Sequence, residues 1–194
     1  MANSPEPARA KWLNGLAVGW GAAEATLFFI VPDVLLSRIA LQDCRQALRA
    51  CVWALGGALA GGVLIWCLGN ANPDPVREVF AQIPAVSPQM MDRVRGQLID
   101  LGPWAVFVGP LTGTPYKLYA LEAAGTGIGL VSFFLVSLPA RMLRFVLVVL
   151  LTHWLAAALR RTAGPGMLRI LHAVAWLSFY AWYFYVMSGP EGPA

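Results

Sequence analysis

Apolar stretches of membrane length alternate along this chain with short polar interruptions. The first stretch, Trp12 to Leu41, exceeds the roughly 20 residues that cross a bilayer as a helix, yet it contains Pro32-Asp33 and, nine residues before Asp33, Glu24. Ionisable residues at membrane depth are costly and face a cavity, an opposite charge or a task. Proline removes a helical hydrogen bond, and the freed backbone needs a partner in protein or water. Residues 12–42 are therefore expected to form a broken or re-entrant hairpin, with its break at Pro32, bordering a polar site. A linker with Asp43, Arg45 and Arg49 follows, then a clean transmembrane span over 47–69. Its Gly57/Gly61 pair lets another backbone approach closely. Residues 70–101 are the long polar segment. They open on an Asn-Pro-Asp-Pro turn signal and continue into an amphipathic helix from Met90 to Leu101, expected on the membrane surface. Residues 102–138 are apolar and broken again, across Gly109-Pro110-Leu111-Thr112-Gly113-Thr114-Pro115-Tyr116-Lys117. A second small pair, Gly125/Gly129, follows. Pro139 precedes a span over 140–159, Arg160, Arg161 and Arg169 mark a loop, and 168–187 makes the last crossing.

This order predicts an all-α integral membrane protein. It has two re-entrant or broken helical hairpins, with Pro32 and Pro115 at the breaks, in an inverted repeat, plus about three full transmembrane helices; such repeats place binding sites near the midplane, where half-helices meet. Composition agrees. Hydrophobic residues make up 58% of the chain and charged residues 12%, against about 25% charged in soluble domains, and one membrane domain over 1–194 accounts for the length. The net charge of +4 suits loops facing anionic lipid, and no aromatic-basic platform suggests nucleic acid. Arginine placement favours a cytoplasmic N-terminus. The basic start resembles a signal peptide, but Glu24, Asp33 and the lack of a small-x-small cleavage site argue against removal. Cys44, Cys51 and Cys67 have neither metal nor disulfide spacing and read as small hydrophobes.

The segment Glu24-Ala-Thr-Leu-Phe28-Phe29-Ile-Val-Pro32-Asp33-Val-Leu-Leu resembles the first-hairpin signature of the DedA/VTT-domain proteins, also called the SNARE-associated Golgi protein family, and most of all its short bacterial members. Thr114-Pro115-Tyr116-Lys117 is similar to their second-hairpin motif, Ala124-Gly125 to the small pair after it, and Pro139-Ala-Arg141-Met-Leu-Arg144-Phe145 to the start of their next helix. Glu122 has no counterpart in that pattern, and Lys117 is the lone cation of the second break. The resemblance implies a protein of a bacterial inner membrane that transports lipid, a phospholipid or a polyprenyl phosphate, with protons as a coupling ion.

The candidate pathway residues are Glu24, Asp33, Lys117, Arg141 and Arg144. Asp33 and Lys117 occupy the two breaks and are expected to approach one another. They then serve either as headgroup contacts or as a structural pair fixing the hairpin tips. Glu24 is the candidate proton carrier, because apolar surroundings disfavour a charged carboxylate. Arg141 and Arg144, three apart on one helical face, suit a phosphate held by paired hydrogen bonds, or else they snorkel to the interface. His153 and His172 read as packed or interfacial, and the aromatic run Phe179 to Tyr185 as an interfacial belt. No nucleophile elbow, metal-spaced set, phosphate loop or dinucleotide fingerprint occurs, so no enzyme activity, cofactor or metal is expected. Two alternatives to lipid transport stand: a non-transporting scaffold or assembly factor for envelope homeostasis, and, behind it, an intramembrane enzyme using Glu24 and Asp33. Homo-oligomerisation stays open.

Overall fold

Local signals set most helix boundaries. A computed structural model describes residues 5–83, 86–109 and 113–188. Pro110, part of the second break, lies outside them. Helix α1 spans Pro5–Glu24, and α2, Asp33–Ala40, begins directly after Pro32. Helix α3, Cys44–Ala71, is capped by the Asp43 carboxylate, which accepts from the Gln46 N–H at 3.0 Å. Such a cap satisfies one of the donors that a helix start leaves without a partner. Helix α4 covers Pro73–Phe80, and α5, Pro88–Leu101, is capped by Ser87. Both begin on a proline, whose missing N–H is no loss in a first turn. Helix α6 is short, Trp104–Val108, and α7, Tyr116–Gly125, starts after Pro115. Two long helices complete the chain, α8 over Leu130–Leu159 and α9 over Pro165–Ser188. No strand occurs among the described residues.

The expected count of about three full crossings is corrected to two. Among the described residues, α3 and α8 alone are long and apolar enough to cross a membrane. At 1.5 Å per residue they reach about 42 and 45 Å, beyond the roughly 30 Å hydrocarbon core. Helix α9 falls short in apolarity because Arg169, His172 and its Trp and Tyr side chains carry polar groups. The boundary expected between 138 and 140 also moves. The chain turns at Thr126–Gly129, where Gly127 adopts φ +81°, and Pro139 lies inside α8. Apolar helices tolerate an internal proline when neighbours satisfy the freed groups. The polar segment holds two helices, and the apolar face of α5 packs inward. Met90, Met91, Val94 and Leu98 are buried in one cluster with Leu118, Tyr119 and Leu121 of α7, so this face is not free to lie on a membrane.

Packing is reciprocal between two halves of similar element order. In each, an arm (α1 or α6), a break, a short helix (α2 or α7) and a long helix (α3 or α8) succeed one another. Each arm packs on the long helix of its own half, while α2 packs on α8, α7 packs on α3, and α3 meets α8. Glycine makes the tightest seam possible. A Cβ at Gly57 would collide with the Val18 carbonyl, and one at Gly61 would sit 2.8 Å from the Ala25 Cβ. The outside of the assembly is strongly apolar. Only 28% of the most apolar stretch of α8 is buried, and Val131, Leu151 and Trp154 are each about 70% exposed or more. Water-soluble surfaces rarely carry contiguous apolar patches of this extent; the two apolar helices are compatible with a membrane protein.

Candidate functional site

The first break leaves backbone groups that no helix can satisfy, and side chains from three directions take them up. After Glu24 the chain leaves the helical path, and Thr26 turns its hydroxyl onto the Ala22 and Ala23 carbonyls at 2.9 and 3.0 Å. The Phe28 carbonyl accepts from Lys117 Nζ at 2.8 Å. The Ile30 carbonyl accepts from Trp20 Nε1 at 2.9 Å. The Val31 N–H donates to the Tyr180 hydroxyl at 2.9 Å. A broken segment away from water requires such internal partners, so α1, α7 and α9 jointly hold it open.

The charges beside the break are assembled from opposite halves of the chain. Arg141 of α8 is 1% exposed and forms an ion pair with Glu24, with Nη1 3.5 Å from Oε1 and Nη2 against Oε2. Its guanidinium lies between the rings of Tyr116 and Phe145, 4.7 and 4.9 Å from their centroids. One helical turn on, Arg144 places Nε at 2.9 Å and Nη2 at 2.8 Å from Asp33 Oδ2. Asp33 also sits in the first turn of α2, where helix polarity favours a carboxylate. The expected approach of Asp33 and Lys117 is thereby corrected. Asp33 pairs with Arg144, and Lys117 forms no ion pair among the described residues but reaches the Phe28 carbonyl. The cause is steric. Helix α2 packs on α8 as well as on α3, which seats Asp33 against Arg144, while Lys117 meets the first break through its backbone rather than through Asp33.

These groups border a cavity of about 170 Å³. Glu24, Lys117 and Arg144 supply its polar wall, Phe28 and Tyr183 part of its aromatic wall, and Ile83 and Val86 close it from the α4–α5 side. Helix α9 contributes more than an interfacial belt. His172, Trp176, Tyr180 and Phe184, four residues apart, form one ladder along the first half. His172 Nε2 lies 2.8 Å from Ser37 Oγ, and Trp176 Nε1 donates to the same oxygen at 3.1 Å. Tyr180 binds Val31, and Phe184 packs edge-on against Phe29. Four-residue spacing on a helix lines side chains along one face, a signal present in the sequence but masked by the density of aromatics around it.

Glu122 belongs to a separate cluster. Its carboxylate, 4% exposed, lies 3.1 Å from Arg77 Nη1 and 3.9 Å from Arg95 Nη1, and Arg77 also pairs with Asp92. The cluster ties α4 and α5 to α7. No group of three metal-ligating side chains occurs among the described residues.

No family model matches the chain, and no solved structure does. The chain is similar to an uncharacterized protein of Haemophilus influenzae, 25% identical over 143 residues that make up 72% of this chain and 73% of the relative.

Proposed function

We propose that this chain is an integral protein of a bacterial inner membrane that moves a lipid, a phospholipid or a polyprenyl phosphate, between leaflets, with Glu24 coupling the movement to protons. In this reading α3 and α8 cross the bilayer, and the two broken segments enter it as an inverted repeat. The supporting observation is the cavity at the first break, where Lys117 and Arg144 face an aromatic wall. A cationic, aromatic-rimmed cavity beside broken helices suits a headgroup that passes while its acyl chains stay in lipid. Its volume is below the roughly 300 Å³ of a drug-sized site, so it accommodates a headgroup phosphate and not a whole lipid. Resemblance of the two break motifs to DedA/VTT-domain proteins supports the same substrate class.

A second reading, a non-transporting scaffold, draws on the fact that Glu24 and Asp33 already have partners in Arg141 and Arg144. Charges of that kind can serve to lock the halves together. The deciding experiment is reconstitution of the purified protein in liposomes, following labelled phospholipid and labelled polyprenyl phosphate between leaflets with and without a proton gradient. Exchange well above protein-free liposomes is expected. Folded protein that leaves both lipids in place would rule out transport and favour the scaffold.

A further inference from the structure

We infer that the cavity selects a phosphodiester lipid, with one negative charge on its phosphate, over a phosphomonoester lipid with two. This rests on reading the cavity as a lipid-headgroup site. Among the described residues, Glu24, Lys117 and Arg144 line it, with Asp33 paired to Arg144 and Arg141 paired to Glu24 behind them, a net charge of +1 over the five. The balance is local as well as arithmetic. Each arginine is in contact with a carboxylate, whereas Lys117 shares the field of Glu24 without an ion pair of its own among the described residues.

Lys117 is 2% exposed and lines the cavity. An ammonium carries three donors, and its one hydrogen bond among the described residues goes to an uncharged group, the Phe28 carbonyl. A buried charge whose opposite charge is already in contact with another cation, as Glu24 is with Arg141, is incompletely compensated. Its position in the fold adds to the deficit. Lys117 stands in the first turn of α7, where the helix N-terminus has partial positive charge of the same sign. A monoanion in the cavity brings the total to zero. A phosphomonoester, at about −1.5 to −2 near neutral pH, overshoots and leaves a buried negative surplus beside Glu24 and Asp33. Free inorganic phosphate overshoots in the same way, so charge matching points to the diester of a membrane lipid.

The test uses the protein in neutral detergent, titrated with phosphatidylglycerol and with phosphatidic acid of identical acyl chains, near pH 7, where the monoester already carries about −1.5 to −2. Native mass spectrometry reads the binding. Phosphatidylglycerol is expected to bind about tenfold more tightly, a difference of about 1.4 kcal/mol. Lys117→Met brings the cluster to zero and should abolish the preference along with most of the affinity, whereas Lys117→Arg should keep both. Asp33→Asn raises the cluster to +2 and should turn the preference towards phosphatidic acid; it keeps the inference testable if Lys117→Met fails to fold. Wild-type protein that binds phosphatidic acid as well as or better than phosphatidylglycerol would overturn the charge matching and leave lipid transport standing. Folded protein that binds neither lipid would overturn the headgroup site itself. Retained selectivity without leaflet exchange in liposomes would uphold the site and sink the transport reading.

Discussion

Arg141 shows how much depends on one buried cation. Two aromatic rings hold its guanidinium and Glu24 neutralises it. Removing either partner leaves the other charge buried and unpaired, at a cost of about 3–5 kcal/mol. Glu24→Gln alone and Arg141→Met alone are each expected to lower the thermal unfolding temperature sharply in detergent. The double variant should recover most of the loss, since it removes both charges together; single-variant losses that simply add would show the two are not coupled. Glu24 thus has a structural role as the counter-ion of Arg141 in addition to its place in the cavity wall. Arg160 is another residue whose role is tertiary. It donates to the Leu41 carbonyl at 2.7 Å, next to the end of α2, where carbonyls lack helical partners, and so is not an ordinary loop arginine.

At the scale of elements, identical motifs do different work according to what lies opposite. Gly57 and Gly61 face α1 so closely that no Cβ fits without backbone movement, whereas Gly56 has open space around its Cβ position. Gly57→Ala should therefore destabilise the protein by about 1–3 kcal/mol, as overpacking does. Gly56→Ala should be neutral or stabilise by up to about 1 kcal/mol, the gain in helix propensity. Thermal unfolding of the two variants side by side is the check, and similar losses in both would mean that α1 does not pack on α3 as described. Gly125 and Gly129 have the same spacing but touch nothing within 4 Å of a Cβ. They flank Gly127 in the turn between α7 and α8, where positive φ favours glycine. The α9 ladder makes a related point: Trp and Tyr side chains with one polar tip can sit at an interface or complete an internal hydrogen bond, and Trp176 and Tyr180 do the second.

For the whole molecule, the reciprocal packing of two similar halves explains why charges far apart in sequence meet. Helix α2 lies against α8 as well as α3, and α3 meets α8, an arrangement in which Asp33 reaches Arg144 across 111 positions and Glu24, at the end of α1, reaches Arg141 across 117. The apolar exterior of α8 and α9 then has to be covered by something other than water. Burial of apolar side chains stabilises by about 25 cal/mol per Å², so membranes prepared from cells producing the protein should retain nearly all of it through alkaline carbonate washing, with release only in detergent. Recovery in the carbonate supernatant would contradict a membrane-embedded chain.

Short-range physics, readable residue by residue along the chain, controls where the helices start and which are apolar. Proline sterics start helices after Pro32 and Pro115, the Asp43 and Ser87 caps start two others, and uninterrupted apolar length marks α3 and α8. Hydropathy also placed Glu24 and Asp33 in surroundings where a lone charge is untenable. It could not say which opposite charge relieves each one, because a carboxylate in an apolar run is compatible with any cation that the fold brings near. Tertiary structure decided that Asp33 takes Arg144, that Lys117 takes a backbone carbonyl, that Glu122 is clamped by Arg77 from the polar segment, and that the apolar face of α5 turns onto α7. These outcomes follow from which helices share a seam, and that is governed by shape at positions such as Gly57 and Gly61, where the absence of a side chain carries no hydropathy signal.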